Sequence, residues 1–265
     1  MSLLLERSSL DRPRVAPGER IYAIGDVHGC FDLFEDLIGR IREDDEARTP
    51  RRTTIIQVGD LIDRGPRSAD VVDLMMHFTR LSKHLVVLKG NHEQVMVDAL
   101  HGDLGMLNGW LRVGGRETLA SWGVPSESLE RSQKDILKIA RKAIPRKTRT
   151  WLNDLPVHYQ SGDFLFVHAG IRPGVPLARQ EEDDLLWIAD EFLDASEAHF
   201  AVIVHGHSID EAGPVLRENR IALDTGAYRT GRLSAVAFEG TEQWVISTTT
   251  DNPAAPPRIA HAVVA

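Results

Sequence analysis

Three short motifs contain residue types that bind metal ions. They are GDVHG at residues 25–29, GDLIDRG at 59–65 and GNHE at 90–93. Each combines Asp, Asn or His with glycine and follows an apolar run that is typical of a buried strand. Oxygen ligands mixed with imidazole nitrogen suit a divalent transition metal, and a pair of such ions can activate water and neutralise a phosphate. The motifs therefore indicate metal-dependent hydrolysis of a phosphoester.

The predicted ligands lie in these motifs and after two later strands. Asp26 and His28 are two residues apart in a tight turn, so both can reach one ion, and the two oxygens of Asp60 can bridge two cations. Taken singly, such residues are more often helix caps and turn formers. Their coincidence at five strand ends favours metal binding. The candidate ligands are Asp26, His28, Asp60, Asn91, His168 and His207.

A strand–motif–helix unit recurs along the chain and positions these residues. Apolar residues at helical spacing follow the first two motifs, beginning at Phe31 and Val71. This recurrence is typical of a largely parallel sheet covered by helices, so the predicted fold class is α/β. Functional groups of such sheets gather at the carboxyl ends of the strands. The predicted strands span residues 21–24, 54–58, 85–88, 164–167 and 200–204, with an antiparallel hairpin from 221–223 and 233–238.

The rest of the chain predicts additions to one domain that covers residues 1–265. Residues 104–155 contain several Trp and Leu positions but no clear strand, so we expect a helical cap insertion over the sheet. Residues 1–17 are polar with two prolines, and we expect a loosely held N-terminal arm. We expect an irregular tail over residues 252–265.

Composition excludes several classes of protein. The formal net charge of −8 argues against a general nucleic-acid binder, because such proteins usually present a basic face. Cys30 is the only cysteine, so no disulfide forms within the chain and a reducing cytoplasm is expected. The apolar stretch near Met1 is too short for a signal peptide or a membrane span. We therefore expect neither nucleic acid nor a membrane as a partner.

The motifs in this order resemble the phosphoprotein phosphatase (PPP) family of metallophosphoesterases, whose signature is GDxHG, GDxxDRG, GNHE and two later histidines. Residues 90–98 and 224–227 resemble its bacterial and phage branch, the lambda-phosphatase-like enzymes. The resemblance covers about residues 21–238, and three motifs in order are far more specific than any one alone. It implies a four-layer α/β/β/α metallophosphoesterase sandwich with the site at its strand ends.

The resemblance also implies a pair of divalent metal ions. One would be held by Asp26, His28 and Asp60. The other would be held by Asp60, Asn91, His168 and His207. A water that bridges the two ions would attack phosphorus. Mixed oxygen and nitrogen ligands favour manganese and are compatible with iron, zinc or cobalt.

Catalytic roles follow from the same resemblance. His92 would act as general acid, and Asp63 would orient it by accepting its other ring N–H. Arg64 would bind phosphate oxygens through its planar guanidinium, next to Asn91. The pattern selects His207 rather than His205 as the later ligand.

The chain departs from the family at a second arginine that normally binds phosphate. The family has a run like Leu-Trp-x-Arg, and here Ala189 stands at the arginine position. Three explanations compete: Arg172 reaches the phosphate instead, the enzyme is slow or adapted to another substrate, or the protein is an inactive relic that binds phosphorylated partners. The retained His92, Asp63 and Arg64 favour an active enzyme.

Two phosphoester substrates remain open, a phosphorylated protein and a dinucleotide. A serine/threonine protein phosphatase, including one of dual specificity, fits Asp63 and Glu93. A symmetrical diadenosine tetraphosphatase tends to have Ala and Asp at these positions, although it shares the sequence Gly65-Pro66. Substrate choice is expected to depend on the cap insertion. Its candidate contacts are Trp110, Arg112 and Arg116.

Overall fold

Two sheets of five strands each form the centre of the computed structural model, which describes residues 12–249. The first sheet has the order β10-β9-β1-β2-β3, in which β1, β2 and β3 are parallel and β9 is antiparallel to both of its neighbours. Its strands are β1 (Glu19–Ile24), β2 (Arg52–Gln57), β3 (Leu85–Val87), β9 (Arg232–Glu239) and β10 (Glu242–Thr249).

The second sheet has the order β4-β5-β6-β8-β7. Strands β5, β6 and β8 are parallel, and the two edge strands are antiparallel to their neighbours. The strands are β4 (His158–Ser161), β5 (Phe164–Val167), β6 (Val202–His205), β7 (Val215–Leu216) and β8 (Arg220–Ala222).

Helices connect the parallel strands, as the strand–motif–helix pattern predicts. Helix α1 illustrates why: Phe34, Leu37 and Ile41 recur at helical spacing and are its buried residues. The helices are α1 (Phe31–Glu46), α2 (Ser68–Leu81), α3 (Asn91–His101), α4 (Leu104–Trp110), α5 (Arg116–Ser121), α6 (Gln133–Ala143), α7 (Arg146–Asn153), α8 (Glu182–Trp187), α9 (Asp190–Leu193) and α10 (Ala227–Thr230). None of the helices within residues 12–249 is long and apolar enough to cross a membrane.

The two sheets pack face to face, and helices cover both outer faces. Alternate residues of β1 show this division, because side chains of a strand point to opposite sides. Ile21 and Ala23 belong to the cluster between the sheets, where Phe164 and Phe238 place their rings 4.8 Å apart. Tyr22 points the other way, into the larger cluster with α1–α7. A third cluster joins β5 and β6 to α8 and α9. The predicted four-layer α/β/β/α arrangement is confirmed.

Residues 104–155 contain α4–α7, a π-helical turn (Leu111–Gly115) and a 3₁₀ turn (Ser126–Glu130), and no strand. The predicted helical character of this insertion is therefore confirmed. Its helices pack on α2 and α3 rather than directly on the sheet, and they extend the helical layer outside the first sheet.

The predicted hairpin is wrong. Strand β8 pairs with β6 and β7 in the second sheet, whereas β9 pairs with β1 and β10 in the first. Residues 224–226 and α10 carry the chain from one sheet to the other. Alternation of apolar residues marks each strand but carries no information about the sheet that it joins, which explains the error.

The described end of the N-terminal arm is held in place. Val15 is buried, and its N–H donates to the carbonyl oxygen of Gly240 at 3.2 Å. The Arg14 N–H donates to the Asp163 carboxylate at 2.9 Å. These contacts link the two sheets, so the expected looseness does not extend to residues 14–15. The rest of the expected arm, residues 1–11, and the expected tail, 252–265, lie outside the described residues.

Candidate metal centre

The predicted site residues follow the carboxyl ends of parallel strands in both sheets. Because the two sheets are stacked, their strand ends meet in one place. In chain order the residues are Asp26 and His28 after β1, Asp60, Asp63 and Arg64 after β2, Asn91 and His92 after β3, His168 after β5, and His207 after β6. Because functional groups gather at the carboxyl ends of parallel strands, segments that are distant in the chain lie together here.

Asp60 lies at the centre of this group. Its Oδ2 is 3.5 Å from His28 Nε2, and its Oδ1 is 3.5 Å from His168 Nε2. Two buried sets of possible ligand atoms, one with His28 and His92 and one with Asp26 and His168, share Asp60, and within each set the atoms lie no more than 4.8 Å apart. One carboxylate common to two sets is the arrangement that a bridging ligand of two ions requires.

Two of the histidines are oriented by backbone carbonyl groups. His28 Nδ1 lies 2.7 Å from the Ile62 carbonyl oxygen, and His168 Nδ1 lies 3.0 Å from that of Val58. A carbonyl only accepts, so each Nδ1 carries the proton and each Nε2 presents a lone pair toward Asp60. Burial lowers the pKa of His28 to about 3, which keeps the ring in the neutral form that metals bind. Ligating histidines are typically fixed in this way.

Acceptor atoms face one another in the second set. His168 Nε2 lies 3.0 Å from Asn91 Oδ1, although neither atom carries a hydrogen in this arrangement. The Asp26 Oδ1 atom is buried without a hydrogen-bond partner, while Asp26 Oδ2 accepts the N–H of His207 at 3.0 Å. Burial lowers the pKa of the His207 ring to about 4. A cation among these lone pairs would satisfy them, so the residues fit a divalent metal.

The turns of the site adopt an unusual backbone conformation. Left-handed φ angles cost a non-glycine residue of the order of 1 kcal/mol each and concentrate at functional sites. Within residues 12–249, every non-glycine residue with positive φ is a predicted site residue. These residues are His28 (43°), Asp60 (57°), Asp63 (73°), Arg64 (67°) and His207 (61°).

Glu93 holds the turn that carries Asp60. Its buried carboxylate accepts the N–H groups of Asp60 and Gly90 at 2.8 Å each and that of Leu61 at 2.9 Å. Burial and the nearby Asp60 raise the pKa of Glu93 to about 7, and the N–H donors oppose that shift. Gly90 must be glycine, because a Cβ there would lie 2.2 Å from Asp60 Oδ1. Glu93 thus supports the turn that carries the candidate ligand Asp60.

His92 and Asp63 form a buried pair next to the two ligand sets. His92 Nδ1 lies 2.6 Å from Asp63 Oδ2. Burial lowers the pKa of His92, but the carboxylates of Asp60 and Asp63 outweigh it, so that the net shift is upward. Arg64 spans the site, with Nη1 2.8 Å from His28 Nε2 and Nη2 3.1 Å from His92 Nε2. An imidazole whose pKa is raised and a guanidinium therefore lie beside the candidate metal centre.

The profile of the calcineurin-like phosphoesterase family matches residues 19–235, a range that contains every predicted site residue. The chain belongs to this family. Members of this family use dinuclear divalent metal centres. The presence of Asp60 in both sets of possible ligand atoms of this phosphoesterase agrees with such a centre.

Relatives of this phosphoesterase carry two different names. It is 27% identical over 231 residues to serine/threonine-protein phosphatase 1 of Salmonella typhimurium, which covers 83% of this chain and 92% of that protein. It is 31% identical over 157 residues to a symmetrical bis(5'-nucleosyl)-tetraphosphatase of Acidovorax ebreus. That match covers 58% of this chain and only 44% of the relative's length. One relative is named a protein phosphatase and the other a tetraphosphatase, so their names leave the substrate open.

Solved structures support the same fold. A cold-active protein tyrosine phosphatase superposes with a TM-score of 0.58 at 17% identity, covering 93% of this chain and 86% of that one. At this identity the likeness shows the fold of the phosphoesterase and no more.

Arg172 of the phosphoesterase is engaged in ion pairs. Its Nη2 lies 2.6 Å from Asp184 Oδ1 and its Nη1 lies 3.0 Å from Glu191 Oε2. These carboxylates raise the pKa of the Arg172 guanidinium. To reach a phosphate, Arg172 would have to give up both pairs, so the geometry does not favour it as the substitute for the arginine that is missing at Ala189.

One of the three cap residues that were expected to contact the substrate is buried in the phosphoesterase instead. Trp110 is fully buried, and its indole N–H donates to Asp63 at 3.0 Å, so its prediction as a substrate contact is wrong. Apolar rings in a surface helix can face inward, and the sequence alone did not show which way this one points. Arg116 pairs with Glu130 at 3.0 Å, and Arg112 is exposed.

Several residues that contact the candidate site were missed by sequence reasoning. Thr118 donates to Asp63 from inside the cap insertion. Asp224 lies against Asp26, and burial raises its pKa to about 6. Its place in the sequence DTGA, within a region that resembles the family, was the one available signal. The rings of Trp187 and Tyr228 lie beside His207 and His28. Trp187 is the tryptophan of the run compared with Leu-Trp-x-Arg, whereas no pattern marked Tyr228.

Proposed function

We propose that this phosphoesterase is a serine/threonine protein phosphatase that hydrolyses phosphomonoesters. It would have dual specificity if phosphotyrosine also fits the site. The hydrogen bond of 2.6 Å between His92 and Asp63 carries the proposal. The alkoxide that leaves a phosphoserine is strongly basic and needs a proton, which His92 can supply. A nucleotide leaves as a weakly basic phosphate and needs no such acid. A buried acid pair is therefore of most use on a phosphorylated protein or a small alkyl phosphoester.

Two divalent ions, preferably manganese, are the proposed cofactors. One would be held by Asp26, His28 and Asp60. The other would be held by Asp60, Asn91, His168 and His207. When bound, such a pair lowers the pKa of a water and neutralises charge on the phosphate. The neutral histidines and the unpaired Asp26 Oδ1 support metal binding by these residues, and Asp26 shares its set of possible ligand atoms with Asp60 and His168.

The chain's own residues bind the phosphate and move the proton. Arg64, which spans His28 and His92, can grip two phosphate oxygens with its planar guanidinium. His92 donates its Nε2 proton to the leaving oxygen, and Asp63 keeps the ring in the orientation for that transfer. Asn91 lies within the same set of polar atoms and can also contact the phosphate. Because Cys30 is the sole cysteine, we further propose a cytoplasmic location.

Restoring the second arginine is expected to speed up this enzyme. Ala189 is half-buried at the start of α9, two residues after Trp187, whose ring lies 6.5 Å from that of His207. We expect Ala189→Arg to raise kcat/KM for a phosphoserine peptide by about tenfold, a part of the 10²–10³ that one charge-stabilising donor can contribute. Steady-state kinetics with added manganese measures this.

Ala189→Gln is the matched control, because it adds a long polar side chain without charge. No gain in rate with arginine, or an equal gain with glutamine, would show that a cation at position 189 is irrelevant to turnover.

A second candidate function is hydrolysis of a dinucleoside polyphosphate, and two exposed aromatic rings favour it. Trp187 is 43% exposed beside His207, and Tyr228 is 37% exposed with its ring centroid 5.3 Å from that of His28. The Arg64 guanidinium lies 4.7 Å from the Tyr228 ring. Exposed rings next to a phosphate site can stack on nucleobases.

A comparison of two substrates separates these candidates. With manganese added, we expect phosphate release from a phosphoserine peptide to have a higher kcat/KM than cleavage of diadenosine tetraphosphate. The reverse order would favour the dinucleotide hydrolase, particularly if Trp187→Ala lowers cleavage of diadenosine tetraphosphate while Phe200→Ala, a change at another exposed ring, does not. Activity on neither substrate would favour an inactive relic that binds phosphorylated partners.

A further inference from the structure

Asp63 is surrounded by hydrogen-bond donors from the cap insertion. Its carboxylate is fully buried and accepts the Trp110 indole N–H at 3.0 and 3.1 Å and the Thr118 hydroxyl at 2.5 Å, in addition to the His92 ring N–H. Two of these three side-chain donors therefore come from α4 and α5. They leave the Asp63 carboxylate little freedom to rotate.

The backbone of Asp63 is held by the same insertion. Its N–H donates to Thr118 Oγ1 at 2.9 Å and to Ser68 Oγ at 3.1 Å. One hydroxyl thus contacts both the main chain and the side chain of Asp63, whose φ of 73° is unfavourable without such support. The contact is local and specific, since the backbone N–H and the side-chain carboxylate of Asp63 both hydrogen-bond to the Thr118 hydroxyl.

A glycine in the π-helical turn allows the insertion to come this close. Gly114 has φ of 130°, and a Cβ on it would lie 2.5 Å from Asp63 Cβ and 2.4 Å from Arg64 N. Any larger residue would push the insertion away from the turn that carries Asp63 and Arg64.

We propose that Trp110 and Thr118 are positioning residues that hold Asp63, and through it His92, in the orientation from which His92 protonates the leaving group. The inference rests on the proposed function, because it takes His92 as the general acid. A carboxylate that orients an imidazole must itself be fixed, and its outer partners commonly matter for activity. The cap insertion is then part of the proton-donating machinery. If Trp110 and Thr118 only filled the apolar core, their N–H and hydroxyl groups would not need to share Asp63 as a hydrogen-bond partner.

Leaving-group dependence tests the proposal. The enzyme with saturating manganese is assayed on p-nitrophenyl phosphate, whose leaving group is weakly basic, and on a phosphoserine peptide, whose leaving group is strongly basic. We expect Thr118→Val and Trp110→Phe each to lower kcat for the peptide by about tenfold, a fraction of the 10²–10⁴ that acid–base catalysis contributes. We expect kcat for p-nitrophenyl phosphate to stay within about twofold, because departure of nitrophenolate needs little protonation.

Matched variants in the same insertion serve as controls. Thr148→Val removes a buried hydroxyl that has no hydrogen-bond partner, and Trp151→Phe changes a half-buried indole in the same helix. Both should keep the wild-type ratio of the two rates. Thr118→Ser, which retains the hydroxyl, should restore most of the activity on the peptide. Metal content per chain and the midpoint of thermal unfolding are measured for every variant.

The results separate two kinds of failure. Equal losses on both substrates in Thr118→Val and Trp110→Phe, together with a leaving-group-dependent loss in His92→Asn, would overturn the positioning role alone. Equal losses on both substrates in all three variants would overturn His92 as general acid and this inference with it. Losses that follow metal content would show that Thr118 and Trp110 support the metal site instead.

Discussion

Replacing Asp60 with asparagine is expected to lower phosphoesterase activity by roughly 10³-fold or more, because a shared carboxylate contributes several kcal/mol to a dinuclear site. Asp60 Oδ2 faces His28 Nε2 and Asp60 Oδ1 faces His168 Nε2, each at 3.5 Å. Asparagine keeps the shape but presents an NH₂ group to one of the two ions and removes the negative charge. Kinetics at low and saturating manganese, with elemental analysis of the purified protein, measures the effect.

The loss should appear in metal content as well as in rate. The histidines around Asp60 hold its pKa below the ordinary value in spite of its burial, so the wild-type carboxylate is charged throughout the neutral range. Asp45→Asn is the matched control. Asp45 pairs with Arg20 at the opposite end of β1 from Asp26, and its loss should leave both metal content and rate near the wild-type values. An Asp60→Asn protein that keeps two ions and normal turnover would contradict the bridging role.

The sequence was sufficient to group the candidate metal ligands because they lie in local patterns. A strand that ends in Asp or His beside glycine fixes both the residue type and its position at the edge of a sheet. When five segments of one α/β chain show this pattern, few arrangements are possible other than one in which their polar residues meet at the edge of the sheets. The pattern therefore groups Asp26, Asp60 and His168, and the structure places their ligand atoms within 4.8 Å of one another.

The supporting residues could not be found in this way. Thr118 is one threonine in a short helix, and its role depends on a contact with Asp63, 55 positions earlier in the chain. Glu93 is the last residue of the GNHE motif, but its partners are backbone N–H groups of another turn. Such contacts depend on how loops approach one another, and sequence periodicity reports only on regular elements.

Sheet membership was the main error in the fold. Strand β10 alternates buried Trp244, Ile246 and Thr248 with more exposed residues, yet its polar side chains hid it. Without β10 as a partner, β9 was assigned to β8. Tertiary pairing decides this choice, and the decisive register joins Ile21 of β1 to Phe238 of β9.

Replacing His92 with asparagine is expected to lower kcat for a phosphoserine peptide by roughly 10²–10⁴-fold, the usual contribution of a general acid. The loss on p-nitrophenyl phosphate should be much smaller, since its leaving group departs without a proton. Metal content should stay at the wild-type value. His77→Asn, a change at an exposed histidine on α2, controls for the substitution itself.

The metal measurement is decisive because the structure allows a second role for His92. Its Nε2 lies 3.9 Å from Asp60 Oδ2, within one of the two possible ligand sets. If His92→Asn loses one ion per chain and both substrates suffer equally, His92 is a ligand and the acid must be another group. If His92 is the acid, Asp63→Asn should reproduce its leaving-group-dependent loss. The double variant should then be little worse than either single one, because residues that act as a unit are not additive.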